Sequence, residues 1–145
     1  MSGFLSVTLT DATLRSGTND GNEVPLVPGY RASAGIDAEL PGGFRILADG
    51  LAVSSQVLDN DAANSQPKLE GYAIANLRIG WEHPLSRAAG SRAGRIGTFA
   101  EARNLFDARY ATRGIYAFDF QAGANATFVT PAPGRSYLLG VSWRL

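Results

Sequence analysis

The sequence predicts an all-β chain, an antiparallel up-and-down meander of about six strands that forms part of a transmembrane β-barrel. Three observations carry this. In the terminal run 135–145, Tyr137, Leu139, Val141, Trp143 and Leu145 occupy every second position, with Ser136, Gly140, Ser142 and Arg144 between them and Leu138 the exception. A period of two is a strand signature, because successive side chains leave a pleated backbone on opposite faces. Short and long connections alternate along the chain, as the periplasmic turns and external loops of such a barrel do. Finally, no window approaches the roughly 18 consecutive apolar residues of a spanning helix, a test that a barrel strand escapes because lumen-facing residues dilute its lipid-facing ones.

The first segment, 4–15, alternates Leu5, Val7 and Leu9 with Ser6, Thr8 and Thr10. The second, 30–40, is the cleanest: Tyr30, Ala32, Ala34, Ile36, Ala38 and Leu40 oppose Arg31, Ser33, Gly35, Asp37 and Glu39. The third, 44–58, has mixed parity, with Phe44, Ile46 and Ala48 on one side and Leu47, Leu51 and Val53 on the other, which predicts a bulge or burial on both faces. The fourth, 72–82, sets Ala75, Leu77, Ile79 and Trp81 against Asn76, Arg78, Gly80 and Glu82, and the fifth, 95–107, alternates weakly. Pro41-Gly42-Gly43 reads as a tight turn. Residues 83–94 read as a medium turn; 16–28, 59–71 and 108–134 read as long loops. An up-and-down path then gathers the long loops at one end and leaves the carboxyl terminus at the other. Trp81 and Trp143 fall near the short-turn end and Tyr30 and Tyr137 near the long-loop end, the heights of aromatic girdles.

Composition excludes several classes. The formal net charge is +0, and Arg is spread without a basic cluster, so no nucleic-acid surface is expected. Cysteine is absent, which removes disulfides and thiolate metal sites. No signal peptide is legible after Met1, so the sequence reads as cytoplasmic or as lacking its true beginning.

No catalytic constellation, metal site or cofactor site is expected. His83, the one histidine, sits beside Pro84 in the predicted medium turn, far from the several ligands a metal needs. Asp37, Glu39, Glu82 and Glu101 share polar faces with Arg31, Arg78 and Arg103, which predicts a lumen-lining ion-pair lattice over paired acids for glycoside chemistry. Asp59, Asn60, Asp61 and Asn64 lack the spacing of a calcium loop and read as a flexible, solvated segment. Residues 88–94 read as a plain turn, without the helix or the lysine of a phosphate loop.

Placed in order, several fragments resemble one family. Asn104-Leu105-Phe106-Asp107 followed by Tyr110, Val24-Pro25-Leu26-Val27-Pro28 leading into a strand, Gly71-Tyr72, and Pro133-Gly134-Arg135-Ser136-Tyr137 are similar to motifs of the carboxyl-terminal barrel of TonB-dependent outer-membrane receptors. The resemblance covers nearly the whole chain. It implies that residues 1–145 are the C-terminal portion of a barrel of about 22 strands, in the outer membrane of a Gram-negative cell, in a protein that takes up a ligand such as an iron-siderophore complex by energy coupling and is not an enzyme. Nothing in the chain resembles the family's plug domain or TonB-contacting box, so contact with TonB is expected only through a missing N-terminal part. The expected partners are outer-membrane lipid, the transported ligand and the barrel-assembly machinery, which would read Tyr137, Leu139, Val141, Trp143 and Leu145. Family members usually end in an aromatic residue; this chain ends in Leu145.

Six strands fall short of the eight in the smallest bacterial barrels, so the first and last strands are expected to be bare edges of a fragment. Within the loop 108–134, Arg109, Arg113, Tyr116, Phe118 and Phe120 mix cations and aromatics suited to anion capture and stacking, and they are the candidate ligand contacts. Packing of the loop on its neighbours is the competing reading. At the level of the whole chain the alternatives are a soluble all-β binding module, in which Leu77, Ile79, Trp81, Val141 and Trp143 would share a core, and a pore assembled from several copies.

Overall fold

The predicted meander becomes one antiparallel sheet and a separate hairpin. The computed structural model describes residues 1–84 and 94–144. Its strands are β1 (Ser2–Leu9), β2 (Tyr30–Leu40), β3 (Phe44–Val53), β4 (Tyr72–Pro84), β5 (Arg95–Arg103), β6 (Ala111–Asp119), β7 (Ala124–Pro131) and β8 (Ser136–Arg144). The main sheet has the order β1-β2-β3-β4-β5-β8, and β6 pairs only with β7. The sheet is open, with β1 and β8 as its edges. Leu145 and the predicted turn residues 85–93 lie outside the described residues, so the expectations for the chain end and for most of the 83–94 connection rest there.

Because directly paired residues project to the same side, the registers assign every strand a face. Ile36, Ala48, Leu77, Ala102 and Tyr137 line up across the sheet, as do Phe44, Trp81, Thr98 and Val141. That face carries no Asp, Glu, Lys or Arg among the described residues. The opposite face carries Asp37, Arg45, Asp49, Arg78, Glu101 and Arg103. Among the described residues nothing packs on the apolar side: Leu139 and Trp143 are 78% and 77% exposed. The shared core that a soluble module would need from Leu77, Ile79, Trp81, Val141 and Trp143 is therefore not what the sheet forms. The 11 residues of β2 cover about 33 Å of contour, which at a tilt of about 40° gives roughly the 25 Å height of a barrel's apolar band.

β3 explains its own mixed parity. Its ladders with β2 and β4 run without a register shift, so there is no bulge. Phe44, Ile46 and Ala48 belong to the apolar face, whereas Leu47, Leu51 and Val53 lie on the polar face, and Val53 is buried where the strand meets the long loops. Between β2 and β3, Gly42 and Gly43 hold φ of 82° and 84°, and the Glu82 amide donates to Gly43 O, which ties this turn to β4. His83 belongs to β4, not to a turn as predicted, and its ring stacks on Trp81 with centroids 5.2 Å apart. Trp81 Nε1 in turn donates to Gly42 O at 2.9 Å.

The long-loop end is where the chain has a conventional core. Val53, Val57 and Leu58 are the buried hydrophobic residues, and Asp61 and Asn104 the buried polar ones, among the described residues. Residues 10–29 fold back on themselves through the Thr13–Glu23 bridge and are joined to the 54–71 segment by the Leu26 amide, which donates to Val57 O. Gly71 crosses residues 53–55 so closely that a Cβ would lie 2.6 Å from Val53 O, a physical reason for glycine before Tyr72. Asn104 ends β5 in the left-handed region, φ 50°, and is 4% exposed. Asn104 N donates to Asn76 Oδ1, its Nδ2 donates to the Ala108 and Pro133 carbonyls, and its Oδ1 accepts from Ala108 N. Asp107 Oδ1 then accepts from Arg135 N, which sets the entry to β8. Replacing Asn104 with Ala leaves these buried groups unpaired and should cost about 2 kcal/mol. Urea unfolding of the chain in detergent micelles measures this, and a loss below about 0.5 kcal/mol would contradict the assigned role.

Candidate functional site

The segment 108–134 is not an irregular loop but is largely the β6–β7 hairpin. Its alternation was hidden because each face of β6 mixes polar and apolar residues: Arg113, Ile115, Ala117 and Asp119 on one, Thr112, Gly114, Tyr116 and Phe118 on the other. A register shift between Ala111 and Arg113 obscures it further. At the tip, Asp119 Oδ1 accepts from the Gln121 and Ala122 amides, and Gly123 takes φ 67° to close the turn.

The hairpin distributes the candidate ligand residues unequally. Phe120, 91% exposed, and Phe118 meet edge to face at the tip, with ring centroids 5.2 Å apart. Arg109 is exposed at the neck, next to Tyr110, whose ring stacks on Tyr72 at 4.1 Å. Tyr116 is half-buried. Arg113 forms an ion pair with Asp59 of the neighbouring loop. The five residues thus lie on one projecting element without converging on one cavity, and two of them, Arg113 and Tyr116, also help to dock the hairpin.

That docking runs through residues 58–59. Asp59 N donates to Gly114 O at 2.8 Å and Tyr116 N donates to Asp59 O at 2.9 Å, bracketing Ile115 in a parallel bridge. Leu58 fills the space at Gly114, where a Cβ would lie 2.5 Å from Leu58 Cδ2. The segment expected to be flexible and solvated is therefore ordered. Asp61, 2% exposed, accepts hydrogen bonds from Ser65 N, Ser65 Oγ and Gln66 N, while Asn64 Oδ1 accepts from Glu23 N. Lys68 Nζ contacts both Glu23 carboxylate oxygens at 2.7 Å. Asp and Asn fit here because short carboxylate and amide side chains reach nearby backbone groups. No group of three or more metal-ligating side chains occurs among the described residues.

The polar face of the sheet carries an ion-pair lattice that includes Asp37, Glu82, Glu101, Arg78 and Arg103 as predicted and adds Arg45 and Arg95, whereas Arg31 and Glu39 form no ion pair among the described residues. Asp37 pairs with Arg45, Arg78 Nη1 lies 3.4 Å from Glu101, and Arg103 Nε lies 2.5 Å from the same carboxylate. Arg95 reaches Glu82 at 3.5 Å, and Asn76 donates to Asp49. The Arg78 guanidinium also sits 3.8 Å from the centroid of the Phe99 ring, which occupies the space left by Gly140. Where this face meets the loops, Asp49, Asn76, Glu101, Arg103, Tyr110 and Ser136 line a concavity of about 590 Å³. Of the strand residues expected to face the barrel-assembly machinery, Tyr137, Leu139, Val141 and Trp143 share the apolar face of β8.

Two loop carboxylates respond to these contacts. The Arg113 hydrogen bond holds Asp59 below the ordinary carboxylate value of 3.8. Burial pushes Asp61 up, but its bonds from Gln66 and Ser65 outweigh this and leave it below 3.8 as well. A carboxylate with a lowered folded-state pKa contributes its stability above the unfolded value and loses it as the pH falls through the folded one. The loop network should therefore be intact near neutrality and loosen only below about pH 4. In an NMR titration of the chain in micelles, the Ser65 and Gln66 amides should shift with a midpoint below 3.8; a midpoint above that value would contradict the assignment.

No protein-family model matches the sequence. No curated protein matches it significantly. Solved structures do. The crystal structure of BauA, the ferric preacinetobactin receptor from Acinetobacter baumannii, matches 97% of this chain with a TM-score of 0.66 at 20% identity. That of the ferric citrate transporter FecA in its unliganded form matches 98% with a TM-score of 0.62, also at 20% identity. The chain spans about a fifth of the length of these structures, 19% and 21%. At this identity the likeness shows the fold: the open antiparallel sheet, with its hairpin and loops, is built like an arc of a receptor barrel.

Proposed function

We propose that residues 1–145 are the C-terminal portion of the barrel of a TonB-dependent outer-membrane receptor, which takes up a ligand such as a ferric siderophore by energy coupling. The observation that supports this most is the uncharged face spanning all of β1–β5 and β8 with no protein packed against it. Such a face suits hydrocarbon, and its charged counterpart suits a watery lumen. The motifs of the family and the ferric-ligand receptors among the structural neighbours favour the same reading. In it, lipid of a Gram-negative outer membrane covers the apolar side, the short-turn end faces the periplasm, and the loop end with the β6–β7 hairpin faces outward. The barrel-assembly machinery would read the apolar residues of β8 together with Leu145. Contact with TonB would fall to a part of the receptor outside this chain. Arg109, Arg113, Tyr116, Phe118 and Phe120 would contribute to ligand capture.

Two measurements test this proposal. In the wall, Leu77→Arg places a charge on the apolar face and should destabilise the chain in lipid vesicles by about 2–4 kcal/mol, whereas Ser33→Arg, on the polar face, should cost under about 1 kcal/mol. Equal effects would remove the distinction between the faces. For transport, disrupting the gene in iron-starved native cells should abolish uptake of a radiolabelled ferric chelate in a way that also depends on TonB. Undiminished uptake of every ferric chelate tried would overturn the assigned cargo.

A further inference from the structure

Residue 59 docks the hairpin in two separable ways. Its backbone brackets Ile115, as described, and its carboxylate holds Arg113. The hairpin makes no strand-to-strand packing with the main sheet among the described residues, so its position depends on this attachment and on its neck, where Ala132 N donates to Tyr110 O. The carboxylate uses little of the guanidinium's capacity. Only Arg113 Nη2 bonds to Asp59, through Oδ2, while Asp59 Oδ1 accepts from Asn60 N. The Arg113 side chain remains 59% exposed. A guanidinium has five N–H donors and binds an incoming carboxylate best as a two-point fork, which a single contact does not match.

We propose that Asp59 is an internal competitor for Arg113: its carboxylate occupies the hairpin's cation until an external carboxylate-bearing ligand replaces it, while its backbone keeps the hairpin docked throughout. This rests on the reading of Arg113 as a ligand contact. The exchange sets a threshold, because ligands offering a bidentate carboxylate displace Asp59 and weaker anions do not. It also spares the unliganded hairpin a free cation. An exposed ion pair of this kind is weak enough to exchange readily.

The test uses citrate alone as the probe, with calorimetric titration of the full chain in micelles. Asp59→Asn keeps the backbone bracket and the side-chain volume but removes the charge. It should tighten citrate binding about three- to fivefold, the factor an exposed ion pair is worth, and Arg113→Ala should weaken it in both backgrounds. Slow exchange of the Tyr116 amide in Asp59→Asn would establish that the hairpin is still docked. Unchanged or weaker binding with Tyr116 still protected would overturn the proposal, since Asp59 would then be orienting Arg113 instead of competing for it. Binding by neither protein would overturn it too, and Leu77→Arg in vesicles would separately decide whether the barrel reading survives. If Tyr116 loses protection, the carboxylate and the backbone are not separable and the proposal also fails.

Discussion

The sheet is uncharged on one side and ion-paired on the other, so its two faces suit different solvents. Water satisfies Asp37, Arg45, Arg78 and Glu101, but exposing Leu139, Val141 and Trp143 to water forfeits roughly 25 cal/mol for each Å² of apolar surface. In the proposed reading the apolar face meets hydrocarbon, which removes that cost. Within that reading each interior strand satisfies its backbone through neighbours on both sides, which matters because lipid offers no hydrogen-bond partners; β1 and β8 are the edges of the sheet.

The conventional core lies at one end of the sheet, where β3 runs into the loops. Among the described residues tight burial is concentrated at the loop end, where Val53, Val57, Leu58, Asp61 and Asn104 are enclosed. The cap is held by backbone hydrogen bonds between its segments and by bonds between Asp, Asn and Ser side chains and nearby backbone groups. Three connections become one body in this way, with residue 59 joining the hairpin to it.

How much of this was legible in the sequence varied with the physics of each segment. β2 and β8 were plain, because one face is apolar and the other mostly polar along the whole strand, and alternation is the direct record of that. β3 was ambiguous because its far end runs under the cap, so Leu51 and Val53 are apolar for a different reason from Ile46 and Ala48. The strand ends were overestimated at 15, 58 and 107, where the chain leaves the sheet but continues in hydrogen-bonded loops. β6 and β7 were missed, since each face of the hairpin mixes polar and apolar residues and leaves no alternation to read. The order of the 59–66 segment was missed as well: Asp61 reaches backbone amides at 65 and 66, a local signal present in the sequence but also common in solvated loops. The Asn104 motif pointed to a family by resemblance, and its hydrogen bonds now give it a physical role in turning the chain from β5 toward β8.

The two tryptophans of the sequence, Trp81 and Trp143, both lie on the apolar face near its short-turn end and report whether that face lies against acyl chains. Their emission in vesicles made with lipids brominated at different acyl depths tests the claim directly. Strong quenching by bromines placed close to the headgroups, weaker quenching from the bilayer centre and little quenching by aqueous iodide is the expected pattern. Full quenching by iodide with none from the brominated lipids would contradict it.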